Sequence, residues 1–385
     1  MIIGIIGSGA MGTGIAQVAA QAGHSVFIYD TNDAALALSK NKLESTFNRL
    51  VEKGKFTAEL AKSILARIDF EDNLRSFSSC GLVIEAIVER LDAKRSVFNT
   101  LEEIVSESCI LATNTSSLSI AAISAKLKYP ERMLGIHFFN PAPLMPLVEI
   151  IPSLQTNPEI TTTAENLISS WKKVAVLAKD TPGFIVNRVA RPFYSEAIKI
   201  YEEGMADVAT IDWAMREIGG FRMGPFELTD LIGHDVNYVV TETVWSQFYY
   251  DPRFKPSITQ KRLLESGLLG RKTNRGFYDY RENAAKPNPN TDLKLGQEIV
   301  DRILALLINE AIDAVFMQIG TPTDIDLAMI KGVNYPKGLL QWANEIGLQT
   351  VLNRLVALHD FYGDDRYRPC PLLRKMVAES AVFQV

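Results

Sequence analysis

The sequence predicts an α/β domain built on a doubly wound sheet, followed by two repeated all-α domains. Three observations carry this. A glycine-rich loop directly follows the first apolar run, strand-length apolar runs then alternate with helical stretches, and the second half is helical and matches itself at a fixed offset.

Ile2–Ile6 has strand length and ends in Gly7-Ser8-Gly9-Ala10-Met11-Gly12. A helical pattern through Ile15, Val18 and Ala19 runs to Gly23, and a second strand over 26–29 stops at Asp30, 30 − 12 = 18 residues past Gly12. Gly7 makes the turn, Gly9 admits a close backbone approach, and Gly12 lets helix and strand pack. The helix start at Ala10 and Met11 favours negative charge, as a pyrophosphate supplies. Asp30 stands where a carboxylate accepts hydrogen bonds from adenosine ribose hydroxyls and repels a 2′-phosphate, so NAD is favoured over NADP. A glycine turn in some other α/β fold is the alternative. The ordered sequence of strand, glycines, helix, strand and acid favours a Rossmann-type domain.

Later strands are expected at 68–70, 82–87, 110–112 and 134–138, the pattern of a parallel sheet. About 37 residues separate Asp30 from Ile68, more than one crossover helix needs. Helical patterns at 36–51 and 59–66, split by Gly54, suggest an inserted antiparallel hairpin standing off the sheet. It carries Lys40, Lys42, Arg49, Lys53 and Lys55, which read either as a solvated face or as a clamp for a phosphate-bearing substrate.

After Thr181-Pro182-Gly183 strand signals disappear. Glu196-Ala197-Ile198 recurs as Glu310-Ala311-Ile312, 310 − 196 = 114 positions on. Ile211-Asp212 recurs as Ile325-Asp326, Ala214-Met215 as Ala328-Met329, Gly224 as Gly338 and Gly233 as Gly347, all at that offset. Arg253-Phe254-Lys255-Pro256 is echoed by Arg366-Tyr367-Arg368-Pro369, 366 − 253 = 113 positions on. The expected organisation is a dinucleotide domain over 1–182, a helical domain over 183–280, a polar linker over 281–292 with Pro287 and Pro289, and a second copy over 293–385.

Composition narrows the function. Hydrophobic residues at 47% and charged residues at 22% suit a globular protein, and a net charge of −5 argues against nucleic acid or an anionic membrane as partner. Cys80, Cys109 and Cys370 form no CxxC pair, and the four histidines are scattered, so no metal site is expected. With no basic leader and no long apolar run, the expected location is the cytosol.

The run 134–139 ends in His137-Phe138-Phe139-Asn140-Pro141, and Glu149 lies twelve residues on in Leu147-Val148-Glu149-Ile150. A histidine at the carboxyl end of a strand in such a sheet faces the ligand crevice and suits an alcohol proton. Glu149, on an apolar strand, needs a partner, and the imidazole would provide one; a structural histidine with a peripheral glutamate is the alternative. Asn114-Thr115-Ser116-Ser117 ends another strand and would line the same crevice, with Ser117 expected to cap a helix. Asn187, in Thr181-Pro182-Gly183-Phe184-Ile185-Val186-Asn187-Arg188, either faces the cleft or bonds locally.

These motifs, with Glu85-Ala86-Ile87-Val88-Glu89 and Gly224-Pro225-Phe226-Glu227, resemble the 3-hydroxyacyl-CoA dehydrogenase family along the whole chain. The resemblance implies His137 as the catalytic histidine, Glu149 as its partner, and Ser116 and Asn187 as substrate-binding groups. It implies coenzyme contacts at Asp30, Glu89, Lys94, Asn140 and Lys272, and a CoA contact at Lys53. NAD-dependent oxidation of a 3-hydroxyacyl-CoA thioester follows from it. Family members with one helical domain dimerise through that domain, so the second copy implies a pseudo-dimer within one chain, with further oligomerisation open. Dehydrogenation of a small free hydroxy acid and an inactive coenzyme-binding protein are the rival readings. A β-hydroxyacid dehydrogenase would need a lysine in the interdomain helix, and 181–203 offers only Lys199, too far along.

Overall fold

The computed structural model describes Met1–Val385 and comprises two compact units, Met1–Thr181 and Pro182–Val385. The first unit runs β1 (Ile2–Ile6), α1 (Ala10–Gln21), β2 (Ser25–Tyr29), α2 (Asp33–Glu52), α3 (Ala58–Leu65), β3 (Ile68–Glu71), β4 (Leu82–Glu85) and α4 (Leu91–Glu102). It continues through β5 (Ile110–Thr113), α5 (Ile120–Ser124), β6 (Met133–Phe138), β7 (Leu147–Pro152), α6 (Pro158–Ser170) and β8 (Val174–Leu177). All eight strands form one sheet in the order β3-β2-β1-β4-β5-β6-β7-β8.

The strands from β3 to β6 pair in parallel, but β7 runs antiparallel to β6 and β8 follows β7 in parallel. All strands expected in the parallel sheet, β1 to β6, are parallel, and the antiparallel β7 extends it. Only 147 − 138 − 1 = 8 residues join β6 to β7. A parallel neighbour requires a crossover of about a dozen or more, so the chain turns back. The run 82–87 also proves shorter as a strand, because the Ile87 amide leaves the ladder to donate to Glu85 Oε1 at 2.6 Å.

The inserted hairpin is α2 and α3, capped by Asn32 and Thr57, with Gly54 at φ +66° in the turn. It does not stand clear of the sheet. Leu36, Leu43, Phe47, Ala61 and Ile64 join the same buried core as Ile3, Ile15 and Val26, which anchors its apolar stripe. Lys40, Lys42, Arg49, Lys53 and Lys55 are all exposed.

The second unit begins with α7 (Val186–Val189), α8 (Arg191–Glu202), α9 (Val208–Trp213), α10 (Pro225–Ile232), α11 (His234–Gln247) and α12 (Ile258–Glu265). Residues 281–292 hold no helix or strand. Then come α13 (Leu293–Phe316), α14 (Pro322–Val333), α15 (Leu339–Ile346), α16 (Leu348–Tyr362) and α17 (Pro371–Ala378). The sequence offsets reappear in the geometry. α10 and α15 start 339 − 225 = 114 residues apart, and α12 and α17 start 371 − 258 = 113 apart.

The Asp212 carboxylate accepts from the Phe226 and Glu227 amides; Asp326 accepts from Leu340 and Gln341. A Cβ at Gly224 would fall 2.3 Å from Asp212, and one at Gly338 2.2 Å from Asp326, so both turns demand glycine. One element differs. Where the second half has the continuous α13, the first has α7 and α8 with a break at Ala190. Pro192 lacks the N–H a continuous helix would need and crowds the carbonyl of Arg188.

The halves pack through crossed, buried ion pairs. Arg188 Nε lies 2.7 Å from Glu310, and Arg302 Nε lies 2.5 Å from Glu196. Since 188 + 114 = 302 and 196 + 114 = 310, these are the same interaction made in both directions. A chain ending at Tyr280 would strip Glu310 and Asp313 from Arg188 and Arg253, leave Glu196 without Arg302, and uncover the face of α8 that packs on α13. It is expected to self-associate or aggregate. A clean, active monomer by light scattering would contradict this account of the packing.

Candidate active site

Gly7 has φ +102°, and a Cβ there would sit 2.6 Å from the Ala86 carbonyl oxygen. A Cβ at Gly12 would sit 1.8 Å from the Gly7 carbonyl oxygen, so neither position tolerates a side chain. A Cβ at Gly9 meets nothing within 4 Å, which leaves this glycine to admit a ligand rather than a neighbouring element. Gly7 and Gly9 line a cleft of about 640 Å³ with Asp30, Ile87, Val88 and Val97, and Ala10 and Met11 open α1 beside it.

Asp30, at the end of β2, also braces the loop. Its Oδ2 accepts from the Ser8 amide at 2.8 Å and hydroxyl at 2.9 Å, and its Oδ1 from the Asn32 amide at 3.0 Å. Glycines without room for a Cβ, an uncapped helix start and a carboxylate at the next strand end together fit a dinucleotide, with Asp30 toward its ribose.

Glu89 and Lys94 come together in a charge cluster that runs from the buried Lys94 to the solvent-accessible Glu89. Lys94 is 1% exposed; its Nζ lies 2.7 Å from Glu85 and 3.2 Å from Glu89. Glu85, fully buried, also accepts from the Ile87 amide and the Thr113 hydroxyl. Glu89 Oε1 accepts from the Thr115 hydroxyl at 2.6 Å and from the Ser116 and Ser117 amides at 3.0 and 3.2 Å. Burial pushes the Glu89 carboxyl up, but Lys94 and these donors outweigh it and hold the group below the usual carboxylate range.

The sequence reading gave Glu85 no role, although an acid ending an apolar strand with a lysine nine positions on was a usable signal. It also placed a helix cap at Ser117. The cap of α5 is Ser119, whose Oγ accepts from the Ala122 amide, while Ser117 donates to Glu89. The cap falls two residues later than expected because Glu89 has already claimed the 115–117 donors.

His137 and Glu149 stand directly opposite each other in the β6–β7 register. His137 Nδ1 lies 2.7 Å from Glu149 Oε2, with the histidine 6% exposed and the glutamate fully buried. The Asn114 side chain accepts from the Phe138 amide at 2.8 Å, tying the ends of β5 and β6 together. Asn140 is exposed beyond β6, and Lys53 is exposed at the end of α2. In the second unit, Asn187 is half-buried in α7, and Lys272 is half-exposed and ion-paired with Asp235.

The 3-hydroxyacyl-CoA dehydrogenase NAD-binding domain matches residues 2–181, and the C-terminal domain of the same family matches twice, at 183–280 and 299–383. The 3-hydroxyadipyl-CoA dehydrogenase of Escherichia coli K12 is 38% identical over 97% of this chain and 96% of its own. The crystal structure of 3-hydroxybutyryl-CoA dehydrogenase from Escherichia coli K12 superposes with a TM-score of 0.94 at 37% identity, covering 98% of both chains.

The chain belongs to the 3-hydroxyacyl-CoA dehydrogenase family.

It is thus an NAD-dependent oxidoreductase acting on CH–OH groups, and the family reaction is reversible oxidation of a 3-hydroxyacyl-CoA. Other members are shorter. The mitochondrial hydroxyacyl-coenzyme A dehydrogenase of Sus scrofa is 39% identical, spanning 72% of this chain and 90% of its own. The (S)-3-hydroxybutyryl-CoA dehydrogenase structure from Ralstonia eutropha, at a TM-score of 0.71, covers 73% of this chain and 99% of its own. The second C-terminal match, 299–383, is what such members lack. No helix is long and apolar enough to cross a membrane.

Replacing Asp30 by alanine removes the brace on Ser8 and the carboxylate expected to meet a ribose. NADH should bind more weakly and discrimination against NADPH should fall, as measured by Kd for each coenzyme. An unchanged preference would mean that another group sets it.

Proposed function

We propose that His137 is the general base of alcohol oxidation and the acid of ketone reduction, held in place by Glu149. The observation that carries this is the cross-strand opposition of two buried ionisable groups at 2.7 Å. An ionised Glu149 can only accept, so Nδ1 carries the hydrogen and proton exchange with substrate runs through Nε2. The glycine loop and Asp30 would hold NAD, which would supply a hydride acceptor for C3 when bound. His137 takes the C3 hydroxyl proton, leaving a ketone, and Glu149 stabilises the imidazolium that results. Ser116 and Asn187 hold the substrate oxygens. Asn140 and Lys272 complete the coenzyme contacts. Lys94, which the family resemblance implies as a direct coenzyme contact, is too buried for one and instead fixes Glu89 and through it the Ser116 backbone.

The substrate carries CoA, and Lys53 meets its phosphates. The hairpin supports this: six exposed cations, Lys62 among them, sit on one insertion against four acids, and none of the six forms an ion pair. The two helical copies, 183–280 and 293–385, form a pseudo-dimer that replaces a partner subunit, leaving one catalytic centre per chain. At the position answering Asn187 stands Asp301, ion-paired with Arg354 at 2.7 Å and so ill-suited to a substrate oxygen. Three buried free thiols fit a reducing compartment, the cytosol.

His137→Gln should slow NADH-dependent reduction of acetoacetyl-CoA by ~10²–10⁴-fold while NADH still binds, since its contacts lie elsewhere. Glu149→Gln should also slow it strongly, because an amide cannot stabilise the imidazolium. A rate within about threefold of wild type in either variant would remove that residue from the mechanism. Lys53→Ala should raise KM for acetoacetyl-CoA, less so as salt increases. An equal rise for a pantetheine thioester lacking the nucleotide phosphates would dismiss the phosphate contact and favour a substrate without CoA.

A further inference from the structure

The turn bearing Asn187 is built against backbone preference. Gly183 has φ +75°, and the next residue, Phe184, is a buried non-glycine at φ +47°. Such residues persist only where the surroundings over-determine them. The helix that follows, α7, has four residues, too few to hold itself. Arg188 does the holding. Its amide donates to the Gly183 carbonyl at 3.1 Å, closing the turn. Arg188 is 1% exposed, with Nε 2.7 Å from Glu310, Nη2 2.5 Å from Asp313, and the Phe248 ring 5.1 Å from its guanidinium. Both carboxylates belong to α13, in the second repeat. Arg253 Nη1 lies 3.3 Å from Glu310 and 2.8 Å from Asp313, which pins them in turn.

We infer that Glu310 and Asp313 of the second repeat are positioning residues for the reaction, fixing Asn187 through Arg188. This rests on the reading of Asn187 as a substrate-holding group. The duplicated domain thereby does more than cover an apolar face: it supplies the carboxylates that set the geometry of a turn in the other copy. The molecule contains its own control. Glu196 holds Arg302 at 2.5 Å in the mirrored arrangement, but the residue before Arg302 is Asp301, to which no substrate contact is assigned. Breaking either crossing weakens the same interface, and only one of them should slow chemistry.

The test is a double-mutant cycle in the full chain, with kcat and KM for acetoacetyl-CoA, NADH Kd and Tm measured for each variant. Glu310→Gln and Asn187→Ala are each expected to lower kcat about tenfold or more, with the double variant within about twofold of Asn187→Ala alone. NADH Kd should hold in all three. Glu196→Gln should lower Tm as much as Glu310→Gln while keeping kcat within about threefold of wild type. If Glu310→Gln does not fold, Asp313→Asn, which leaves Glu310 on Arg188, enters the same cycle. A Glu310 effect that survives undiminished without Asn187, or an equal loss of kcat in Glu196→Gln, would overturn the positioning role alone. A wild-type rate in Asn187→Ala would instead remove the reading of Asn187, and the positioning role with it.

Discussion

The register of β6 against β7 is the constraint on which the geometry of the His137–Glu149 pair depends. In an antiparallel pair, residues directly opposite place their side chains on the same face about 4.5–5.5 Å apart at Cβ. With His137 opposite Glu149, a 2.7 Å contact needs no unusual rotamer or loop. A slip of one residue would turn one of the two side chains to the other face and bury an unpaired carboxylate. The register is held from both sides. Leu134, Ile136, Val148 and Ile150 are fully buried, and Asn114 ties the end of β6 to β5.

The rest of the first unit shows the same economy of buried charge. Glu85, Glu89 and Lys94 form one cluster in which every carboxylate has a cation or several donors, and removing Lys94 would strand the fully buried Glu85 at a cost of roughly 3–5 kcal/mol. The cluster links the end of β4, the start of α4 and the 115–117 turn after β5. These segments carry residues from the ends of two neighbouring strands to one edge of the sheet, where ligands bind in doubly wound folds.

In the second unit, duplication has been followed by divergence at one element. Helix lengths, buried aspartate caps and obligatory glycines recur with the sequence offset, and the ion pairs cross reciprocally. The break between α7 and α8 does not recur. Pro192 interrupts the helix in the first copy, whereas Leu306 at the same offset lets α13 run unbroken through 24 residues. The interrupted copy is the one attached to a coenzyme domain and the one that carries Asn187.

Much of this was legible in the residues themselves. The glycine loop, the acid after β2, the helical hairpin and the repeat at offset 114 are local or self-similar patterns, and local sterics and periodicity express them wherever they fold. Their companions were not legible. The antiparallel turn at β7, the burial of Lys94 between Glu85 and Glu89, and the reach of Glu310 and Asp313 to Arg188 join residues 5 to 125 positions apart, whereas the pairing of Glu149 with His137 was already expected of an acid on an apolar strand. Nothing in the spacing of such residues states which strand edge or helix face will bring them together. That choice belongs to the packed chain, where a buried charge without a partner is too costly to survive and only one arrangement pairs them all.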